Sequence, residues 1–403
     1  MKIFIHTMYY LPEFGSAPIL MNELATDLAA RGHTVEVVTT VPRPPHHGPY
    51  RWKLFVKERG EGFSVRRIRT NFTVHHIGRL LAWSIYTLFT IMNLLRVGRD
   101  DILFLRLPPL QLGVTGALAR FLKKGKVILN VQDIHPDLSI ESGLLRNPTA
   151  IRWALRFEKW IYDRSGTILV ISEGFKRNLV DKGVAADKVS VIPNWVDTDF
   201  LKPLPKDNAV SRKYGLVDRF VVMYSGTISI SSIATLQRIL ESAKKMESDS
   251  RVLFVIVGEG FKKEDLCRHA ERLQLSNVRF LPFQPYEDLP ALLASADVLL
   301  VPLDKEKSLL SVPSKLYNFM AAGRPIMGLA HSSSEVKALI EGAGCGVCVP
   351  PEDTDAMKEA VKRLMDSEKD REDMAAHSRR TALEEYGRKA VLSNLDRMIR
   401  DLK

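Results

Sequence analysis

The stretch ADVLLVPLDKEKSLLSVPSKLYNFMAAGRP, residues 296–325, reads as a strand, a loop, a helix and a stop. The apolar run at 296–302 has the length and composition of a buried strand. Pro313, Ser314 and Lys315 stand at a helix start, an apolar helical turn follows, and Gly323-Arg324-Pro325 ends it. A strand that hands over to a helix in this way is one unit of a parallel α/β sheet, where ligands bind beyond the carboxyl ends of the strands. A helix start presents unpaired N–H groups and a partial positive charge. Lys315 adds a full one, so the segment offers a cradle for a diphosphate. Taken alone, it is more often an ordinary helix cap with a solvated lysine.

The same unit recurs along the chain. Beyond residue 218, strand-like runs stand at 219–225, 251–257, 278–282, 296–301 and 325–329, with helical periodicity between them. Upstream, strands are expected at 2–9, 35–40, 101–106, 127–131, 167–171 and 189–192. Gly15 and Ser16 follow the first, with Ser16 the cap candidate, Pro18 suited to a first helical position and Gly32 the stop. Both halves therefore read as doubly wound α/β. At 403 residues two domains are the default. They are residues 1–199, a linker at 200–218 rich in Pro, Lys and Asp, and residues 219–385. A last helix, about 386–403, is expected to pack back on the first domain.

The net charge of +11 is unevenly spread. Residues 1–200 hold 27 Lys and Arg against 18 Asp and Glu, whereas the remainder hold 31 against 29. A basic first half favours an anionic partner such as membrane lipid, nucleic acid or a phosphorylated acceptor. The simpler reading is a solvated surface. The run LLAWSIYTLFTIMNLL at 80–95 carries no charge over sixteen residues and is flanked by Arg79, Arg96 and Arg99. It falls short of the about 20 residues a spanning helix needs. A buried or half-buried helix is expected ahead of one lying in a membrane interface. The neighbours Arg51, Lys53, Lys57, Arg59, Arg66, Arg67 and Arg69 add attraction for anionic lipid.

Several classes drop out. The start MKIFIHTMYY enters a strand directly, without a secretory signal. Three cysteines make no disulfide framework, which fits a reducing cytoplasm. Cys345 and Cys348 read as small buried residues in a strand rather than as zinc ligands or a redox pair. Asp197 and Asp199 form a D-x-D, but at the linker entry rather than after a strand, and Asp353 with Asp355 reads as a helix start. No metal and no cofactor are expected. A P-loop, a complete G-x-G-x-x-G, an H-E-x-x-H and a nucleic-acid-binding pattern are all absent from the sequence, so no nucleic-acid partner is expected.

Two α/β halves joined by a linker imply a cleft between them, with a ligand held mainly by one half. In the second half, Gly226-Thr227 lets a phosphate approach the backbone, and Gly258-Glu259-Gly260 opens a loop before a helix. Pro282-Phe283-Gln284-Pro285 offers backbone groups to a planar base. Each is weak alone, and their joint occurrence with Ser314 and Lys315 carries the signal. In the first half, Gly15 is placed to lie against a phosphate or sugar. Asp133, in NVQDIHPD just past a buried strand, reads equally as a cleft carboxylate and as the cap of the next helix.

These segments resemble one family over nearly the whole length. YYLPEFGSAP at 9–18, ISEGFKRNLVDKGVAADKVSVIPNWVDTDF at 171–200, MYSGT at 223–227 and IVGEG at 256–260 resemble retaining glycosyltransferases of family 4. So do residues 277–303, 311–325 and 332–353. QDIHPD and VPSK are similar to the branch of fucosyl- and N-acetylfucosaminyl-transferase-like proteins of bacterial surface polysaccharide assembly. The resemblance implies a GT-B fold, with two Rossmann-like domains facing a central cleft. It also implies a nucleotide-diphospho-sugar donor in the C-terminal domain and an acceptor in the N-terminal one. Such enzymes work without a metal, and the departing diphosphate is thought to take the acceptor proton. Lys315 and the amides of Ser314 to Leu316 then stabilise that diphosphate, and Gly15 and Gly226 serve close approach.

The sequence departs from the family in three places. Where many members have a Glu, seven residues and a second Glu, this chain has Leu310 and Asn318. Asn318 still offers a hydrogen bond to a ribose. The loop at 227–232 lacks the usual Arg and Lys, which leaves Lys315 as the principal cation. Gln132 precedes Asp133 where a His that contacts a sugar 6-hydroxyl is common, which is compatible with a 6-deoxy donor. The expectation is a cytoplasmic enzyme at the inner face of the plasma membrane, extending a polyprenyl-diphosphate-linked saccharide. A nucleotide-sugar 2-epimerase of the same fold and a non-catalytic scaffold are the alternatives.

Overall fold

In the computed structural model the chain divides into two compact units, Met1–Asn194 with Val391–Lys403, and Trp195–Ala390. The structure describes residues 1–403 apart from 14, 44–47, 51–52, 71–75, 142, 230–231, 304–308, 311 and 403. At 49, 76, 77 and 79 it describes the backbone alone. Arg51, Ser311, the Arg79 side chain and part of the 227–232 loop, all read from sequence above, lie outside these described residues.

The first unit is built on eight strands: β1 (Lys2–His6), β2 (Thr34–Thr40), β3 (Phe55–Arg59), β4 (Ser64–Ile68), β5 (Ile102–Leu107), β6 (Lys126–Val131), β7 (Thr167–Val170) and β8 (Val189–Val191). Their order is β3-β4-β2-β1-β5-β6-β7-β8. Of these pairings only β3 with β4 is antiparallel. Central strands read as continuous apolar runs because helices cover both faces, and β5 (ILFLRL) is buried throughout. The order reverses between β1 and β5, so the switch point lies there.

Three local readings differ from expectation. Strands β3 and β4 carry Lys and Arg at many positions, which hid their alternation. Arg67 is one of the inward-facing residues: it donates to Glu58 at 2.8 Å and to the Leu11 carbonyl at 2.6 Å. It is therefore a structural cation, not one offered to lipid. Arg66 pairs with Glu36 at 3.2 Å, and Arg69 donates to the Tyr50 carbonyl. The first helix, Ser16–Ala30, is preceded by Gly15 with no side-chain cap, so Ser16 is its first residue and Pro18 its third. Proline is tolerated there because amides of the first turn have no intrahelical partner anyway.

The second unit is a six-stranded parallel sheet: β9 (Phe220–Ser225), β10 (Val252–Val257), β11 (Val278–Leu281), β12 (Val298–Pro302), β13 (Ile326–Leu329) and β14 (Gly346–Val349). The order is β11-β10-β9-β12-β13-β14, so its switch point lies between β9 and β12. Alternate side chains fill two cores, with Met223, Val255 and Leu299 on one face and Val222, Phe254 and Leu300 on the other. Residues 200–218 belong to this unit rather than standing apart from it. Leu201, Val210 and Leu216 are buried in its core, and Asn208 closes a capping box on the helix Ala209–Lys213. The charges that give the stretch its linker-like composition are paired there, Lys206 with Asp297 at 2.5 Å and Asp207 with Arg212 at 2.6 Å.

The final helix, Arg388–Asp401, buries Val391, Leu392, Leu395 and Ile399. From 391 onward it counts with the first unit, where Asp396 meets His33 at 2.7 Å and Ser393 accepts from Arg31 at 3.0 Å.

Candidate active site

At the switch point of the second unit, three segments converge. Gly226 ends β9, Gly258 ends β10, and Lys315 opens the helix Lys315–Ala321 after β12. The loops after β9 and β10 are zipped by backbone bonds, Gly226 N–H to Val257 O at 3.0 Å and Ile228 N–H to Glu259 O at 2.9 Å. A Cβ added to Gly258 would stand 1.9 Å from the Gly226 carbonyl oxygen, and its φ of 149° disfavours any L side chain. A Cβ on Gly226 would lie 2.3 Å from the Lys315 ammonium. Gly258 thus lets the two loops close on each other through backbone, and Gly226 leaves the Lys315 ammonium its position.

The Lys315 ammonium sits 4.3 Å from the centre of the Tyr224 ring. Among the described residues no hydrogen bond reaches it and no carboxylate lies within ion-pairing distance. A half-buried cation with only a ring face for company is costly. Loss of hydration accordingly brings its pKa down to about 8. An arriving anion would restore the missing stabilisation. Tyr224 is itself fixed by donating to the Thr227 carbonyl at 2.8 Å. In the sequence Tyr224 stands within MYSGT with no task that the motif alone assigns it. An aromatic just before the strand-end glycine was the available signal.

The remaining candidates of this unit fall into two groups. Ser314 and Asn318 flank Lys315, and their side chains make no hydrogen bond among the described residues. Thr227 is exposed beside Gly226. By contrast, the Leu316 amide is engaged by the Pro313 carbonyl at 2.9 Å, and the Leu316 side chain is buried. Gln284 donates to Pro282 O at 2.8 Å and accepts from Tyr214 at 3.1 Å, so its side chain is already satisfied. Glu259 pairs with Lys263 at 2.6 Å. The helix Lys315–Ala321 has only seven residues, so Lys315 rather than the helix dipole carries the positive charge here.

In the first unit, Gly15 is exposed ahead of the first helix and Asp133 is exposed just beyond β6. Among the described residues no backbone amide donates to Asp133, so it is not a helix cap. Enough protein surrounds its carboxyl to push the pKa up, against the pull of Arg106. The D-x-D pair is occupied structurally, Asp197 with Arg388 and Asp199 with Lys389, each at 2.8 Å. Asp353 caps the helix Thr354–Asp366 through the Ala356 amide at 2.8 Å.

Residues 18–195 match the family described as glycosyl transferase 4-like domain, and residues 209–381 match glycosyl transferases group 1. With both units so matched, on two Rossmann-like parallel sheets, the chain belongs to the GT-B glycosyltransferases of the group 1, family 4-like kind, and it is a transferase. It is 27% identical over 389 residues to the putative colanic acid biosynthesis glycosyl transferase WcaI of Escherichia coli K12, covering 91% of this chain and 92% of that one. It is 26% identical to the probable glycosyltransferase WbjE of Pseudomonas aeruginosa, over 69% of each. The crystal structure of Anabaena HepE in complex with UDP superposes with a TM-score of 0.72 at 16% identity, over 100% of both chains.

Proposed function

We propose that this enzyme moves a sugar from a nucleotide-diphospho-sugar held by the second unit to a saccharide acceptor held by the first, in bacterial surface-polysaccharide assembly. The observation that carries the donor side is Lys315, a cation with no acidic partner among the described residues, set beside Gly226 and over the Tyr224 ring at the switch point. WcaI, described as a colanic acid biosynthesis transferase, supports the polysaccharide setting, and HepE, solved with UDP, supports the nucleotide. In the reaction the bond from the anomeric carbon to the diphosphate breaks and a bond to the acceptor oxygen forms on the same face. The acceptor proton passes to the departing phosphate oxygen. Lys315 offsets the charge that grows on that phosphate, and its dry setting strengthens the effect. Gln132 beside Asp133 fits a 6-deoxy donor of the fucose type.

Thermal stabilisation by UDP, GDP and their sugars tests the donor assignment, because a ligand that binds the native state raises its melting temperature by mass action. One nucleotide is expected to shift the transition and the other to do so weakly. The absence of any shift at millimolar nucleotide contradicts the assignment. The pH dependence is also set. In the ligand-free enzyme Lys315 loses its proton near pH 8, whereas a bound diphosphate holds it on. Calorimetric affinity for the nucleotide is thus expected to be greatest below about pH 8 and to fall as pH rises beyond it. Lys315→Arg removes that slope, and a flat wild-type profile removes Lys315 from the site.

The acceptor is proposed to be lipid-linked and the enzyme to rest on the inner membrane surface. The helix His76–Asn93 supports this with an inverted pattern. Its inward face holds Tyr86, Thr90 and Asn93, hydrogen-bonded to Val38 O, Thr115 and His6. Leu80, Leu88 and Met92 are each more than half exposed, as is Leu95 just beyond. Exposed Leu54 and Phe55 on and beside β3 add to them, with Phe55 against Phe89 at 5.8 Å and exposed Lys53 and Lys57 alongside. Among the described residues no helix is long and apolar enough to cross a membrane. An apolar face with basic flanks suits the interface instead. Leu88→Glu with Met92→Glu is expected to abolish sedimentation with anionic vesicles while leaving the melting temperature within about 2 °C, since both side chains are exposed. Unchanged sedimentation contradicts the docking face.

A further inference from the structure

The switch point of the first unit holds a second unbalanced charge, one that the donor site does not use. Arg106 lies near the carboxyl end of β5, in register with Asn130 on β6 and one residue past the level of His6 on β1. It is 7% exposed, and its Nε is enclosed without an acceptor. Among the described residues no hydrogen bond or ion pair reaches its guanidinium. A buried guanidinium in that state is expensive, and burial brings its pKa down to about 10. The opposing charge is the exposed Asp133, which acts on Arg106 from beyond ion-pairing distance. Asn130 and Gln132, buried and bonded to each other at 2.9 Å, make the strand ends beside it polar. A structural pair would have closed to contact, whereas here the two charges stand apart at the place where open sheets bind ligands.

We propose that Arg106 anchors an oxyanion, phosphoryl or carboxylate, carried by the acceptor, with Asp133 taking a neighbouring hydroxyl. The inference rests on the transfer reading for the word acceptor, but not for the site. The planar fork of an arginine matches a phosphate or carboxylate edge with two parallel bonds. Asp133 accepts from hydroxyls and opposes a second negative charge beside it. The acceptor is accordingly anionic next to a hydroxyl-bearing ring, rather than a neutral sugar throughout.

The test is calorimetric titration of the whole chain with inorganic pyrophosphate and with D-glucuronate, in a Lys315→Ala background that removes the donor-side cation. At least one probe is expected to bind. Arg106→Gln should weaken it about tenfold or more, and Asp133→Asn should tighten pyrophosphate, which brings no sugar hydroxyl, severalfold by removing the repulsion, and weaken glucuronate by removing the acceptor of its hydroxyl. Tighter pyrophosphate identifies a phosphoryl acceptor group, and tighter glucuronate a uronate. If Arg106→Gln fails to fold, Arg106→Lys must still weaken the probe, and the exposed Asp133→Asn must still tighten pyrophosphate or weaken glucuronate. No binding of either probe, or equal constants in every variant, overturns the proposal and leaves the transfer reading intact. Binding through Arg106 in a chain that turns over no donor leaves the site standing and removes the transfer reading.

Discussion

Lys315→Ala is expected to lower sugar transfer by about 10²–10³-fold at saturating donor, while the thermal unfolding of the protein stays close to wild type. The large effect follows from where the charge develops. In the proposed reaction negative charge builds on the departing diphosphate, and Lys315 is the cation that the second unit places at its switch point without a described acidic partner. The small effect on folding follows from the same geometry. The ammonium makes no hydrogen bond among the described residues, so its removal leaves no orphaned acceptor and relieves a desolvated charge. Stability and activity should therefore part company. Steady-state rates and a melting curve on one preparation check this, and near-normal turnover removes the lysine from the mechanism.

Gly258→Ala is expected to fail in the opposite way. The new methyl would lie 1.9 Å from the Gly226 carbonyl oxygen, and that neighbour is backbone held by its own bond to Val257. The φ of 149° adds strain of roughly 1–3 kcal/mol before any clash is relieved. Together a loss of about 3–4 kcal/mol is expected, read as a lower denaturant midpoint for the second unit. Nucleotide affinity should fall with it, because separating the loops disturbs the Gly226 backbone that lies beside Lys315. Unchanged stability with unchanged affinity would mean that the loops are not packed as described.

Apart from β3 and β4, the strands of the two sheets are legible where they are continuous apolar runs, many of them bounded by glycine or proline, and β9, β10 and β12 stand within a residue or two of their expected bounds. The positions of Gly226, Gly258 and Lys315 followed from those strand ends. What escaped was information held between distant segments. Whether a cation is paired is decided in space, so Arg66 and Arg67 read like their solvated neighbours although Glu36 and Glu58 hold them. Arg106, the one charge in the run ILFLRL, reads in sequence only as the end of the expected strand at 101–106. In residues 80–95 the polar Ser84, Thr87, Thr90 and Asn93 recur every third position, a pattern that by itself would turn that face outward. The structure answers by burying threonine, tyrosine and asparagine and exposing leucine and methionine. Asp133 illustrates the converse: its two readings were equal in sequence, and the missing backbone bond rules out the cap.

The most direct test of the account is to incubate the purified chain with a radiolabelled nucleotide-sugar, chosen by its thermal shift, and with a polyprenyl-diphosphate-linked saccharide, and to follow label into the lipid fraction. Transfer is expected to depend on Lys315, to need no added divalent metal, and to yield a product with the anomeric configuration of the donor. Label that stays in the aqueous phase with every donor that binds, or a product of inverted configuration, would contradict it.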